Sequence, residues 1–116
     1  MKHFLLNVIV PGDGEPPPPP ALAKIMADLG EVRAAMKAAG HWVFSAGLEP
    51  PAASSVVGPG EADLVHEGPF AESKEFVGGF TLIRAADLAE ARAWAKKLAA
   101  AITLPIEVRP VRDFDG

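Results

Sequence analysis

The chain has 116 residues, of which 49% are hydrophobic and 22% are charged, a composition typical of one globular domain. Its 15 acidic and 11 basic residues give a formal net charge of −4, without any basic run, which argues against binding to nucleic acid or to an anionic membrane. There is no cysteine, so disulfides, thiol catalysis and cysteine-ligated metals are excluded.

The first apolar stretch, residues 4–10, is much shorter than the ~20 residues of a membrane span. A secretory signal would have a small-residue cleavage site after its apolar stretch, and there is none before Pro11. We therefore expect a cytoplasmic protein. Residues 2–10 are rich in Phe, Leu, Val and Ile and end at a Pro-Gly-Asp-Gly sequence. This pattern predicts a strand closed by a turn.

Residues 16–20 are consecutive prolines and favour a stiff polyproline II segment. The segment can be a spacer into the next element or a ligand for a proline-binding domain. Without flanking basic residues it makes a weak docking motif, and the spacer is the simpler interpretation.

Two helices are predicted. In residues 21–39 apolar side chains recur at helical spacing, and Gly40 follows as a C-terminal cap. The second helix covers residues 88–101 and begins at a capping box of Asp87 and Glu90. The predicted buried stripes contain Leu22, Ile25, Met26, Leu29, Val32 and Met36 in the first helix, and Leu88, Ala91, Trp94, Ala95 and Leu98 in the second.

Three more strands and a hairpin follow from alternation and turn residues. The strands are residues 41–48, 80–84 and 104–111, and the hairpin joins residues 54–57 to 62–66. Pro110 suits a strand at the edge of a sheet. Residues 66–80 mix acids, phenylalanines and glycines without a steady period, which predicts an ordered loop. The Gly78-Gly79 pair at its end predicts a bulge or a close backbone approach.

The predicted order is strand, helix, strand, hairpin, loop, strand, helix, strand. Without the hairpin it is βαββαβ, which predicts an α+β fold of the ferredoxin-like type, with both helices on one face of an antiparallel sheet. No repeat or second domain is indicated, so residues 1–116 are predicted to form one domain.

Strand alternation divides the strand residues between two faces of the sheet. The heavily apolar set is predicted to face the helices: Phe4, Leu6, Val8, Trp42, Phe44, Leu48, Phe80, Leu82, Ile106 and Val108. The opposite set is mixed: His3, Leu5, Asn7, Ile9, His41, Val43, Ser45, Thr81, Ile83, Glu107 and Arg109. A face open to solvent should be polar throughout, so we expect another surface to cover the mixed set.

A second copy of the chain is the economical cover and predicts a two-fold homodimer with its sheets face to face. The polar members of the mixed set would line the space between the sheets: Asn7, Ser45, Thr81, Glu107 and Arg109. A few polar groups in an apolar cavity are typical of a small-molecule site. Alternatively, these groups only satisfy one another across the dimer.

The centre of the chain resembles a family signature. Residues 67–75 read Glu-Gly-Pro-Phe-Ala-Glu-Ser-Lys-Glu and are followed by Gly-Gly-Phe at residues 78–80. This closely resembles the Asp-Gly-Pro-Phe-Ala-Glu-Thr-Lys-Glu…Gly-Gly-Phe signature of the YCII-related, DGPF-type proteins. Residues 47–51, Gly-Leu-Glu-Pro-Pro, and 106–111, Ile-Glu-Val-Arg-Pro-Val, are also similar to that family.

The resemblance covers nearly the whole chain and implies a ferredoxin-like fold within a dimeric α+β barrel. Broader relatives include proposed His/Asp acid–base enzymes, and some DGPF-type members are encoded beside extracytoplasmic-function sigma factors, which implies a sigma factor as a partner. The chain departs from the pattern in two places. Glu67 stands where the signature has Asp, and the first helix contains no His, although broader relatives are thought to place a catalytic His there.

Glu67 is the candidate acid or base, because it precedes a Gly-Pro turn and follows His66. Either His66 or Arg109 could assist it. In the structural alternative, Glu67 caps backbone N–H groups or pairs with Arg109 or Lys74. The candidate ligand-binding residues are Asn7, Ser45, Phe70, Glu72, Lys74 and Arg109. For some of these a structural role is also open, since Phe70 can anchor the loop and Glu72 and Lys74 can form ion pairs at the dimer rim.

The three histidines lack the close spacing of metal sites, and neither a phosphate-binding loop nor a serine-hydrolase elbow is present. We therefore expect no metal and no cofactor. The leading hypothesis is a homodimer that binds a small organic molecule, with acid–base chemistry at Glu67. The alternative is a non-catalytic regulatory or interaction protein, linked to a sigma factor.

Overall fold

The structure is a computed structural model that describes residues 1–59, 65–68 and 74–115, with the backbone alone for residues 65 and 66. The strands and helices in these ranges are β1 (Lys2–Pro11), α1 (Pro19–Ala38), β2 (Trp42–Gly47), β3 (Ser55–Val57), β4 (Val65–Glu67), β5 (Glu75–Ala85), α2 (Leu88–Ile102) and β6 (Ile106–Pro110). A single 3₁₀ turn, Pro51–Ala53, lies between β2 and β3.

Four strands form an antiparallel sheet in the order β2-β5-β1-β6. The helices pack on one face of this sheet, which confirms the predicted α+β fold with ferredoxin-like connectivity. β6 lies at an edge of the sheet. Proline, here Pro110, has no N–H to donate to a neighbouring strand, and an edge position tolerates this lack. β3 and β4 pair with each other in a separate two-stranded sheet. We call this hairpin, residues 55–57 and 65–67, the arm.

The predicted loop of residues 66–80 is wrong at both ends. Residues 66 and 67 belong to β4, and β5 begins at Glu75, where it pairs with Pro11 of the long strand β1. The long-range pairing overrides the local composition. Gly79 permits the close backbone approach that was predicted, because a Cβ there would lie 3.0 Å from the Ala46 carbonyl oxygen. At Gly78 a Cβ would lie 2.5 Å from a side-chain atom, Val10 Cγ2.

Local sequence signals explain how the helices begin and end. α1 begins at Pro19, two residues earlier than predicted, because prolines fit the first turn of a helix. It ends in a Schellman motif, in which Gly40 has a φ of +80° and the His41 N–H donates to the Met36 carbonyl at 3.0 Å. α2 is capped by Asp87, the residue before its first turn, whose carboxylate accepts the Glu90 N–H at 2.9 Å, as the capping box predicts. Neither helix has the length and apolarity needed to cross a lipid bilayer, as far as the described residues show.

The core lies between the helices and the sheet. Leu6, Met36 and Ile83 are its largest fully buried side chains. Three residues of the predicted helical stripes are exposed, with exposed fractions of 46% for Leu22, 57% for Met26 and 37% for Leu88. Leu22 and Met26 instead line a cavity beside the end of β1.

The strand pairing corrects the predicted faces of β5 and β2. Phe4 lies opposite Ile83 and Leu6 opposite Thr81, and directly opposite residues share a face. Thr81 and Ile83 therefore face the helices, whereas Phe80 and Leu82 face away. β5 has apolar residues on both faces, so its composition does not reveal which face the helices cover.

In β2 the register shifts between Trp42 and Phe44, and this bulge inverts the alternation that follows. Ser45 lies opposite Thr81 and therefore faces the helices, contrary to the prediction, while Phe44 faces away from them. The faces predicted for β1 and β6 are confirmed, because Leu5 lies opposite Arg109 and Asn7 opposite Glu107.

Candidate ligand-binding face

The sheet face opposite the helices carries an apolar patch. Phe44 is 47% exposed there, and its ring meets that of Phe80 edge-on, with the centroids 5.6 Å apart. Neither α1 nor α2 covers this face. We call it the helix-free face and define it by the residues that the strand register places there: Leu5, Asn7, Phe44, Ala46, Phe80, Leu82, Glu107 and Arg109.

Three polar side chains of β1 and β6 meet on this face. Asn7 is 5% exposed, and its Nδ2 donates to Glu107 Oε1 at 2.9 Å. Arg109 Nη2 contacts the same oxygen at 2.7 Å. The register places Asn7 directly opposite Glu107, and Arg109 follows two residues later on the same face of β6. We call Asn7, Glu107 and Arg109 the polar triad.

The hydrogen bond from Asn7, followed by that from Arg109, holds the pKa of Glu107 below its usual value. At neutral pH this carboxylate is therefore ionised and serves to hold its two neighbours. A guanidinium has five N–H donors, and the Arg109 side chain is 65% exposed. The polar triad can therefore present a fixed cationic donor to a carboxylate, a carbonyl or another acceptor group.

The family model of the YCII-related domain matches residues 1–115. The chain belongs to the YCII-related family. This confirms the family resemblance seen in the sequence. A search of curated proteins gave no match to this YCII-related chain.

The structure of this YCII-related protein places several of the predicted site residues away from the polar triad. Ser45 faces the helices and so lies across the sheet from the polar triad. Lys74 is exposed at the start of β5, where its carbonyl accepts the Gly12 N–H at 2.6 Å. Glu75, the residue after Lys74, pairs with Pro11, whereas Arg109 pairs with Leu5. Pro11 and Leu5 are six positions apart along β1, a separation of about 20 Å. Lys74 is therefore not part of the polar triad.

Glu67 is exposed on the arm, opposite Ser55. Across the ranges that the structure describes, no ion pair joins it to Arg109 or Lys74. Phe70, Glu72 and the side chain of His66 lie outside the described residues. The same ranges contain no group of three or more His, Asp or Glu side chains that could hold a metal ion.

Glu107 is the site residue that the sequence analysis left out of its ligand-binding candidates. It had placed this residue on the same face as Asn7 and Arg109, but alternation alone does not show which polar groups touch. The available signal was the pattern Ile-Glu-Val-Arg in β6, which puts an acid and a base on one face two residues apart.

Proposed function

We propose that this YCII-related protein is a homodimer that binds a small organic molecule with a carboxylate or carbonyl group between the helix-free faces of two copies. One observation carries the proposal. On a sheet face rich in Leu and Phe, a buried Asn7 and an ionised Glu107 hold an exposed Arg109 guanidinium in place. Few polar groups fixed in an apolar surface are typical of small-molecule sites.

The shape of the chain supports the dimer. Its radius of gyration is 16.1 Å, whereas a compact chain of this length would have roughly 13 Å. A single copy is thus extended, and it leaves Phe44 47% exposed. Exposed apolar patches on soluble proteins often mark interaction surfaces.

Estimated area favours a role for the arm in this dimer. With strands about 4.8 Å apart and about 3.4 Å per residue, the four strands present roughly 500 Å² of face. A stable interface buries about 800 Å² of accessible surface per partner, and further area beside the sheet face would strengthen the dimer. The arm pairs with none of the four strands and can supply that area by lying against the second copy.

The second part of the proposal is acid–base chemistry on the bound molecule by Glu67, assisted by His66. Glu67 is exposed on the arm. If the arm lies against the second copy, Glu67 can approach that copy's polar triad and the ligand held there. An exposed carboxylate that reaches the ligand is suited to moving a proton, whereas Glu107 is held by Asn7 and Arg109.

The test combines oligomeric state with ligand retention. We expect sedimentation velocity at micromolar concentration to show a dimer, and mass spectrometry of the native protein to show a retained organic molecule. Arg109→Gln should lose the ligand, whereas Arg112→Gln should keep it, because Arg112 is 95% exposed and pairs only with its neighbour Asp113 at 3.5 Å among the described residues. A monomer, or equal retention by both variants, would contradict the proposal.

Glu67→Gln separates catalysis from binding. If the protein both binds the ligand and converts it with Glu67, this variant should retain the ligand but no longer convert it. Equal turnover in the wild type and in the variant would remove Glu67 from any catalytic role and leave the binding proposal intact.

A second candidate is a non-catalytic regulatory or interaction protein. The observation in its favour is that the carboxylate of the helix-free face is held by Asn7 and Arg109 and kept ionised, an arrangement suited to a structural interface. The family resemblance supplies a sigma factor of the extracytoplasmic-function class as the partner. Co-elution of the two purified proteins in size-exclusion chromatography would support this candidate, and separate elution would oppose it.

A further inference from the structure

The cavity beside the end of β1 lies on the helix side of the protein, away from the polar triad. It has a volume of about 560 Å³ and is bounded by the residues before α1, the first turns of α1 and the segment that follows α2. This volume falls within the range of about 300–1,000 Å³ that is usual for small-molecule sites. None of the residues of the helix-free face lines it, so it is independent of the proposed dimer site.

The walls of this cavity are apolar and partly rigid. Leu22, Ile25 and Met26 form one side, and Leu22 and Met26 remain 46% and 57% exposed, although both belong to the predicted buried stripe. Pro16 and Pro17 form another side, and proline rings restrict the backbone there. A wall with a restricted backbone lowers the cost of ordering the cavity around a ligand.

A tight turn holds the proline wall in position. The Gly14 N–H donates to the Pro11 carbonyl at 3.3 Å, and a Cβ at Gly14 would lie 2.9 Å from Pro11 Cγ. Glycine therefore fits at this position better than any larger residue. The turn brings Glu15 to the cavity beside the prolines.

The charges around the cavity favour a cation. Among the described residues that line it, Glu15 alone has an ionisable side chain, and it forms no ion pair within the described ranges. The cavity also includes Ile102 and Thr103 at the C-terminal end of α2, where a helix carries partial negative charge. The last turn of α2 contains no basic residue to neutralise it.

The nearby N-terminus of α1 does not provide an anion site that would compete with the preference for a cation. Helix N-termini bind anions through free N–H groups, but the first two residues of α1 are Pro19 and Pro20, which have none. The Leu22 N–H already donates to the Pro18 carbonyl at 2.9 Å. Only the Ala21 N–H is left in this turn, too few donors for an anion.

We propose that this cavity binds a small organic cation with an apolar body, such as an alkylammonium compound. The ammonium group lies between the Glu15 carboxylate and the carbonyl end of α2. The hydrocarbon packs against Leu22, Ile25 and Met26 and against the proline wall. This site requires neither the dimer nor the polar triad, so its test does not depend on the function proposed above.

The test is an NMR titration of the ¹⁵N-labelled full chain with heptylamine and, separately, with heptanoate, both below the concentrations at which they self-associate. The two probes have chains of the same length and opposite charges. Heptylamine should shift the amide signals of Gly14, Leu22, Met26 and Thr103 in a saturable manner, and heptanoate should bind more weakly. Equal affinities, or shifts centred elsewhere, would overturn the proposal.

Two variants separate the contributions of charge and hydrocarbon. Glu15→Gln should weaken heptylamine binding by about two- to fivefold, the size expected for an exposed ion pair, and should not weaken heptanoate binding. Glu31→Gln, an exposed change on α1 outside the cavity, is the matched control and should change nothing. If Glu15→Gln also changes nothing, Glu15 does not hold the ammonium group and the assignment is wrong.

The double change Leu22→Gln with Met26→Gln removes apolar lining at positions that are already exposed, so the fold should persist, as the remaining amide signals will show. It should weaken binding of heptylamine by about tenfold. Val57→Gln, at an apolar residue of the arm that is 71% exposed, should leave binding unchanged. Unchanged affinity in the double variant would show that the hydrocarbon lies elsewhere and would refute the proposal.

Discussion

Asn7 and Glu107 lie 100 residues apart in the chain and are joined by a hydrogen bond of 2.9 Å from Nδ2 to Oε1. The bond crosses directly between β1 and β6, where the two residues are opposite each other. Arg109 contacts the same carboxylate oxygen. The edge strand β6 thus presents the Arg109 guanidinium, which is held by Glu107. Glu107 is in turn held by the nearly buried amide of Asn7 on the central strand β1.

Replacing Asn7 by Leu should raise the pKa of Glu107 towards its ordinary value, because the strongest hydrogen bond to the ionised carboxylate is removed. Carboxyl ¹³C chemical shifts followed against pH will measure this change. Arg109→Gln should raise the same pKa, and Arg112→Gln should not. An unchanged Glu107 pKa in Asn7→Leu would show that the hydrogen bond does not form in solution.

The lowered pKa of Glu107 also predicts how stability depends on pH. A group with a lower pKa in the folded than in the unfolded state stabilises the fold above its unfolded pKa, and this contribution is lost as the pH falls through its folded pKa. The difference in urea midpoint between wild type and Asn7→Leu should therefore be larger at pH 7 than in acid below the normal Glu range. A difference that grows in acid would contradict the assignment.

Gly79 and Gly47 are directly paired in the sheet but differ in the space around them. A Cβ at Gly79 would lie 3.0 Å from the backbone oxygen of Ala46, whereas one at Gly47 would have nothing within 4 Å. Gly79→Ala should therefore lower the free energy of unfolding by about 1–3 kcal/mol, and Gly47→Ala should change it by less than about 0.5 kcal/mol. Urea denaturation of both variants will measure the contrast, and equal effects would contradict the close approach.

Thr103 and Gly40 occupy the same left-handed region, with φ values of 61° and 80°. For residues other than glycine this conformation costs about 1–2 kcal/mol. Thr103→Gly should therefore raise the free energy of unfolding by about 0.5–1 kcal/mol after the larger entropy of glycine in the unfolded chain is included. Gly40→Ala should lower it by about 1 kcal/mol, although no atom lies within 4 Å of the added Cβ. Thermal unfolding will measure both changes, and destabilisation by Thr103→Gly would rule out strain at this position.

Phe44→Glu should separate the proposed dimer into folded monomers, because it places a charge in the apolar patch of the helix-free face. Sedimentation velocity will give the mass, and circular dichroism will show that the fold persists. Leu88→Glu is the control, since Leu88 is 37% exposed at the start of α2, outside the proposed interface. A Phe44→Glu variant that remains a dimer would place the interface elsewhere.

Local signals in the sequence determined the two helices, the cap at the end of α1 and the cap at the start of α2. The Asp87 cap and the Gly40 motif each depend on residues within one or two turns, so they can be recognised without the fold. The alternation in β1 and β6 also placed Asn7, Glu107 and Arg109 on one face correctly. The order of elements, together with the long motif after the hairpin, was sufficient for the fold class and the family.

Only the tertiary structure decided which side of β5 faces the helices, because Phe-Thr-Leu-Ile has an apolar residue on each face and the side that the helices cover depends on the neighbouring strands. It also revealed the bulge after Trp42, which moved Ser45 away from the site, and the cavity that leaves Leu22 and Met26 exposed. Each of these depends on contacts between distant segments. Periodicity records the faces of one element, but the partner of each face is determined by how all the elements pack together.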